Sequence, residues 1–200
     1  MLRGCLVGLL GVAVGFAVVG DVADVGARHL ATSKVEQRVR QVVPHTTGVH
    51  GRIESFPFLR VGLNGHIDEI GVRVDKLTSA RVVYSHIVVD LKGARVSIGN
   101  MVTLRVNVTE ITQGTVSFTL ASSDLAAAAP SVAASGAPPT TAAVDGPLRL
   151  LVLDPSSAHP VVLPLPPASL VPCVPGVAPG PAGLTFGCSF TTVPTAFRTS

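Results

Sequence analysis

Three arginines stand singly in this chain: Arg52, Arg60 and Arg73. A guanidinium donates two parallel hydrogen bonds to a phosphate, a geometry that Lys does not reproduce. These residues are candidate phosphate partners at the rim of a binding site. The competing reading is that isolated arginines only keep one face of a strand wet, as surface charges usually do. Between the first two lies Phe56-Pro57-Phe58-Leu59. Two Phe around a Pro serve either as core plugs at a strand end or as the mouth of an apolar groove.

Catalytic chemistry finds little foothold. There is no G-x-S-x-G elbow, no phosphate-binding G-x-x-x-x-G-K-[ST] loop and no H-E-x-x-H. The six His (His29, His45, His50, His66, His86, His159) show no tight metal-ligand spacing. Asp68 and Glu69 are the one adjacent acidic pair, and on a strand they point to opposite faces, so they cannot share a site. No enzyme activity, metal or cofactor is therefore expected. Cys173 and Cys188 flank a Pro/Gly-rich segment. If the chain is exported, an oxidising compartment lets them pair, and a disulfide is favoured over a metal or catalytic pair.

The elements that must hold these residues follow from composition and periodicity. Hydrophobic residues make up 47% of the 200 and charged ones 14%, against roughly 25% charged in a typical soluble domain. The apolar content is mostly Val, Leu, Ala and Ile, which favours strands. The formal net charge is +3 with the basic residues scattered, so nucleic acid is not an expected partner.

Residues 4–20 (GCLVGLLGVAVGFAVVG) are continuously apolar, preceded by Arg3 and followed by Asp21 and Asp24. Segment 1–20 reads as a signal anchor or transmembrane helix that leaves the rest outside the cytoplasm; a cleaved signal peptide and secretion is the alternative. From Asp21 to Val43, apolar residues recur every three to five positions up to Pro44, predicting an amphipathic helix. The period then falls to two. Strands are expected around Val49–Ser55, Val61–Leu63, Ile67–Val74, Val82–Leu91, Val102–Ile111 and Thr115–Leu120, with a hairpin turn at Asn64-Gly65 and a turn at Gly114. Residues 21–125 thus form the main domain. Residues 126–146, rich in Ala, Pro, Ser and Thr, read as a flexible linker or insertion. Residues 147–200 carry further strands and a Pro/Gly-rich tail with few buried groups.

The order of these pieces is itself informative. A hydrophobic N-terminus and a Val/Ala helix precede G-x-I-x-x-F-P-F-L (Gly51 to Leu59). Then come I-D-E-I-G-V-R-V-D-K-L (Ile67 to Leu77) and V-V-Y-S-H-I-V-V-D-L-K-G-A-R-V (Val82 to Val96). This layout resembles the LmeA family of actinobacterial envelope proteins, well over residues 1–120 and by strand spacing beyond. The resemblance implies an α+β fold in which a curved antiparallel sheet wraps a long N-terminal helix, similar to tubular lipid-binding proteins. It implies non-catalytic binding of phospholipids, including phosphatidylinositol-type lipids, at the cytoplasmic membrane on its periplasmic side. Support of envelope mannolipid elongation or maintenance follows from the same likeness. Phe56, Pro57, Phe58 and Leu59 match the family's most recognisable element. The other reading is an envelope scaffold that holds a cell-wall enzyme or glycosyltransferase.

Overall fold

The computed structural model describes residues 26, 28–54, 65–97, 107–130, 142–145, 150–153 and 160–198. Residues 28–42 are helical and are called α1. The strands are β1 (Thr46–Glu54), β2 (His66–Ser79), β3 (Val82–Val96), β4 (Val108–Glu110), β5 (Gln113–Ala121), β6 (Ala142–Asp145), β7 (Leu150–Leu153), β8 (Val161–Pro164), β9 (Gly176–Gly180) and β10 (Gly183–Phe190). A short helix, α2 (Ser122–Ala128), follows β5.

The class is α+β, with every strand pairing antiparallel. The main sheet runs β1-β2-β3-β5-β10-β9, with β4 on the end of β3; β6-β7-β8 form a second, small sheet. The expected long helix over 21–43 is not supported as such: helix is described over 28–42, and the antiparallel main sheet is open. The transmembrane or signal segment falls outside the described residues. Among those that are described, no helix is long and apolar enough to cross a membrane.

Alternation decides which face is dry. Val49 and Ile53, then Ile70, Val72 and Val74, then Ile87, Val89 and Leu91 all point inward, and the register stacks them in rows. Val116, Phe118 and Leu120 continue these rows into β5, and Leu184, Phe186 and Phe190 into β10. Val35, Val39 and Val43, spaced by four, bring one stripe of α1 into the same core. Leu151, Leu153, Leu163, Leu165, Leu170 and Val171 close it elsewhere.

Strict alternation would not keep this face dry along the full length of β2 and β3. In β2 the inward set passes from Ile70, Val72 and Val74 to Leu77; in β3 it passes from Ile87, Val89 and Leu91 to Tyr84 and Val82. The change falls on one row, Gly48–Asp75–His86, which the pairing skips in all three strands. Gly48 and His86 take positive φ there, 62° and 52°. A left-handed residue adds one step to the alternation, as a bulge does, and because facing strands step together the register survives. Gly93, at φ 60°, makes the second such step in β3, opposite Asp68.

One turn expectation is revised, and of the expected Asn64-Gly65 turn, Asn64 lies outside the described residues. The β2–β3 hairpin closes through Ala80-Arg81, both at positive φ (43° and 79°), the backbone that two-residue hairpins need. Gly114 lies inside β5, where a Cβ would overlap the Phe190 ring, so it serves packing rather than a turn.

The edge of β1 is covered by side chains of α1. The Gly51 amide donates to Glu36 Oε1 at 2.7 Å, and Arg40 donates to the Val49 carbonyl at 3.1 Å. Glu36 and Arg40, one turn apart and 3.9 Å from each other, occupy groups that would otherwise recruit another strand.

Candidate functional site

On the outer face, β1, β2 and β3 form a lattice of side chains. Cross-strand rows read Glu54–Glu69–Lys92, Arg52–Gly71–Asp90 and His50–Arg73–Val88. Neighbours across strands stand roughly 5 Å apart and successive rows roughly 7 Å. The centre of the lattice is Gly71, which has no side chain. The result is an open recess of about 420 Å³ lined by His50, Arg52, Gly71, Arg73, Val88 and Asp90, together with Gly51 and Val72.

Two cations reach into this recess from adjacent strands. Arg52 pairs with Glu54 at 3.2 Å and Glu69 at 3.4 Å. Arg73 makes no ion pair among the described residues. Burial pushes the Asp90 carboxyl above the ordinary carboxylate range and Glu69 adds to this, while Arg52, Lys92 and Arg73 oppose it. A ligand with hydrogen-bond acceptors would therefore find guanidinium donors on one side and a partly desolvated carboxyl on the other. A second open recess, about 460 Å³, lies at Thr112, Gln113, Ser189, Phe190 and Thr191. It has no charged lining residue and less capacity to orient a polar group.

No Ser, Thr or Cys lines the first recess, so it has no hydroxyl or thiol nucleophile beside His50. Among the described residues no group of three His, Cys, Asp or Glu is arranged to hold a metal. Tyr84, Phe118 and Phe186 are buried in the core. Phe118 stacks on Phe186 at 4.7 Å, and Tyr84 meets both edge-on, at 5.4 and 6.1 Å. The Tyr84 hydroxyl donates to the Pro164 carbonyl at 2.7 Å.

Of the residues singled out in the sequence, Arg52 and Arg73 come together in the recess. Arg60 and Phe56, Pro57, Phe58 and Leu59 fall outside the described residues. His50, Gly71, Val88 and Asp90 were not anticipated as a set. The signal that could have found them is parity: with Ala80-Arg81 as a two-residue turn, position 71 faces 90 and 73 faces 88. Cys173 and Cys188 are joined, with Cα atoms 6.2 Å apart, which ties the segment before β9 to β10.

Comparison with known families decides what this architecture belongs to. The LmeA-like phospholipid-binding family matches residues 22–168. The chain belongs to that family. No curated protein matches, and no solved structure does. The LmeA-like match takes in α1, the strands from β1 to β8 and the whole outer-face lattice. It ends before β9 and β10, yet β10 lies between β5 and β9 in the main sheet. Phospholipid binding is thus the family's property, and the residues that complete its core here include some beyond the family's own boundary.

Proposed function

We propose that this protein is a non-catalytic phospholipid-binding protein of the cell envelope. The observation that carries this reading is the LmeA-like match over residues 22–168. In this reading the apolar segment 1–20 tethers the chain to the cytoplasmic membrane and the folded part works on its outer side. Arg52 and Arg73 hold the headgroup phosphate, and Arg60 assists. Phe56, Pro57, Phe58 and Leu59 contact the acyl chains, where each buried CH₂ contributes about 0.8 kcal/mol. The bound lipid serves elongation or maintenance of envelope mannolipids, in contact with a glycosyltransferase.

Support for the Arg assignment comes from their convergence on one recess and from the fit of a guanidinium to phosphate. The direct test is mass spectrometry of lipids extracted from the full chain purified in detergent. A phospholipid at near-stoichiometric yield is expected. A folded preparation that neither carries phospholipid nor takes it up from vesicles ends the proposal. Fractionation of intact cells checks the tether: the chain is expected with membranes, and its appearance in the medium would support cleavage instead.

A further inference from the structure

Gly71 sits in mid-strand, where glycine weakens a sheet and often marks a close approach by something else. Its backbone does not call for glycine: φ is not positive there. Space does not demand it either. A Cβ at this position would meet Asp90 Oδ1 at 3.1 Å and Arg52 carbons or nitrogen only at 3.8 Å, and the nearest of these is the end of a side chain that can move. Conformation does not explain the missing side chain, and packing bears on it only through the Asp90 carboxylate, which would have to shift by a few tenths of an ångström. The recess that glycine creates does explain it.

Both signs of charge border the recess. Glu54, Arg52 and His50 run along β1; Glu69, Gly71 and Arg73 along β2; Lys92, Asp90 and Val88 along β3. Three carboxylates balance Arg52, Arg73 and Lys92. An anion alone would meet carboxylates as well as guanidinia, whereas a ligand with both signs satisfies both sets. Arg73, without an ion pair among the described residues, is one row and one strand from Asp90. Both side chains line the same recess, so one ligand can meet both.

We propose that the Gly71 recess is a headgroup site for a zwitterionic phosphodiester carrying a primary ammonium, with its phosphate on Arg73 and Arg52 and its ammonium on Asp90. This deepens the phospholipid-binding reading and rests on it. The raised Asp90 carboxyl is consistent with the assignment, since an arriving cation relieves the cost of its partly desolvated charge. A primary ammonium also donates hydrogen bonds to the carboxylate, which a quaternary one does not.

The experiment uses the full chain in detergent, titrated by calorimetry with glycerophosphoethanolamine, glycerophosphocholine, glycerophosphoinositol and inorganic phosphate. Vesicles of phosphatidylglycerol with and without phosphatidylethanolamine separate a lipid source from the free headgroup. Glycerophosphoethanolamine is expected to bind tightest, and phosphatidylethanolamine to raise vesicle binding. Gly71→Val should weaken this binding at least tenfold without lowering Tm, because the larger residue suits a strand. Arg73→Gln should do the same, and it keeps the test decisive if the valine variant folds poorly. Asp90→Asn should abolish the preference for the ethanolamine headgroup, and Lys34→Gln on α1 should change nothing. Equal or tighter binding of glycerophosphoinositol or phosphate overturns the zwitterion assignment. Co-purified phospholipid whose binding ignores Gly71→Val and Arg73→Gln overturns the site while leaving phospholipid binding intact. A chain that carries no phospholipid at all removes the broader reading as well.

Discussion

Tyr84 joins three strands to a segment far along the chain through one hydroxyl and one ring. Its ring meets Phe118 and Phe186, and its hydroxyl donates to the Pro164 carbonyl. Burial pushes its phenol well above the usual range, so it stays neutral and a donor at any physiological pH. Tyr84→Phe keeps the ring contacts and leaves the Pro164 carbonyl without that donor. The expected loss is about 1 kcal/mol, read by urea denaturation. Asp90 supplies a pH test. Its carboxyl is raised in the folded state, chiefly by burial and then by Glu69, so the folded chain holds that proton more tightly than the unfolded one. The contribution to stability is fully present below the unfolded pKa and is lost as pH rises through the folded pKa. Asp90→Asn should flatten this fall in Tm measured across the carboxylate range. An unchanged slope would show that the carboxyl is not perturbed.

At the scale of elements, the row Gly48–Asp75–His86 keeps one face of β1, β2 and β3 dry along their length. The same backbone region is occupied by a glycine in one strand and a histidine in another, and the two should respond differently to substitution. Gly48→Ala meets a left-handed penalty of about 1–2 kcal/mol, and its Cβ would overlap the Asp75 carboxylate. His86 is exposed and already bears that penalty, so His86→Gly should change stability by less than about 1 kcal/mol. Thermal denaturation of both variants checks the asymmetry. Equal losses would mean that the row is not set by backbone conformation. The row was invisible in the sequence because Val72, Val74, Leu77 and Tyr84 show an irregular spacing that reads as noise until the facing strand shows the same step. The Ala80-Arg81 turn escaped for a related reason: neither residue favours positive φ, and pairing of the two long strands imposes it.

The whole molecule depends on residues near its C-terminus. Leu184, Phe186, Phe190, Val193, Ala196 and Phe197 are buried in the common core, and Arg38 of α1 donates to the Arg198 carbonyl at 2.9 Å. A chain ended at residue 168, where the family match stops, should lose β9, β10 and cooperative unfolding together. Circular dichroism with a thermal melt reads this directly, and a sharp transition in the shortened chain would contradict it. The Cys173–Cys188 bridge joins residues 15 apart in sequence, for which chain entropy predicts about 3 kcal/mol. The expected Pro/Gly tail with few buried groups is therefore revised, because turn-forming residues at 174–182 gave no hint of the strand that follows them.

Read alone, the sequence determined the strand-rich α+β class, the alternation of Val49 and Ile53 in the first strand, the cysteine pair and the family. Each is written in local alternation, residue type or the order of short motifs. Tertiary structure alone decided that β10 inserts between β5 and β9, that Glu36 and Arg40 cover the β1 edge, and that Arg52 and Arg73 converge over Gly71. Those facts depend on register and on contacts between distant segments. A one-residue slip exchanges the two faces of a strand, and local patterning cannot state which strand a residue will face.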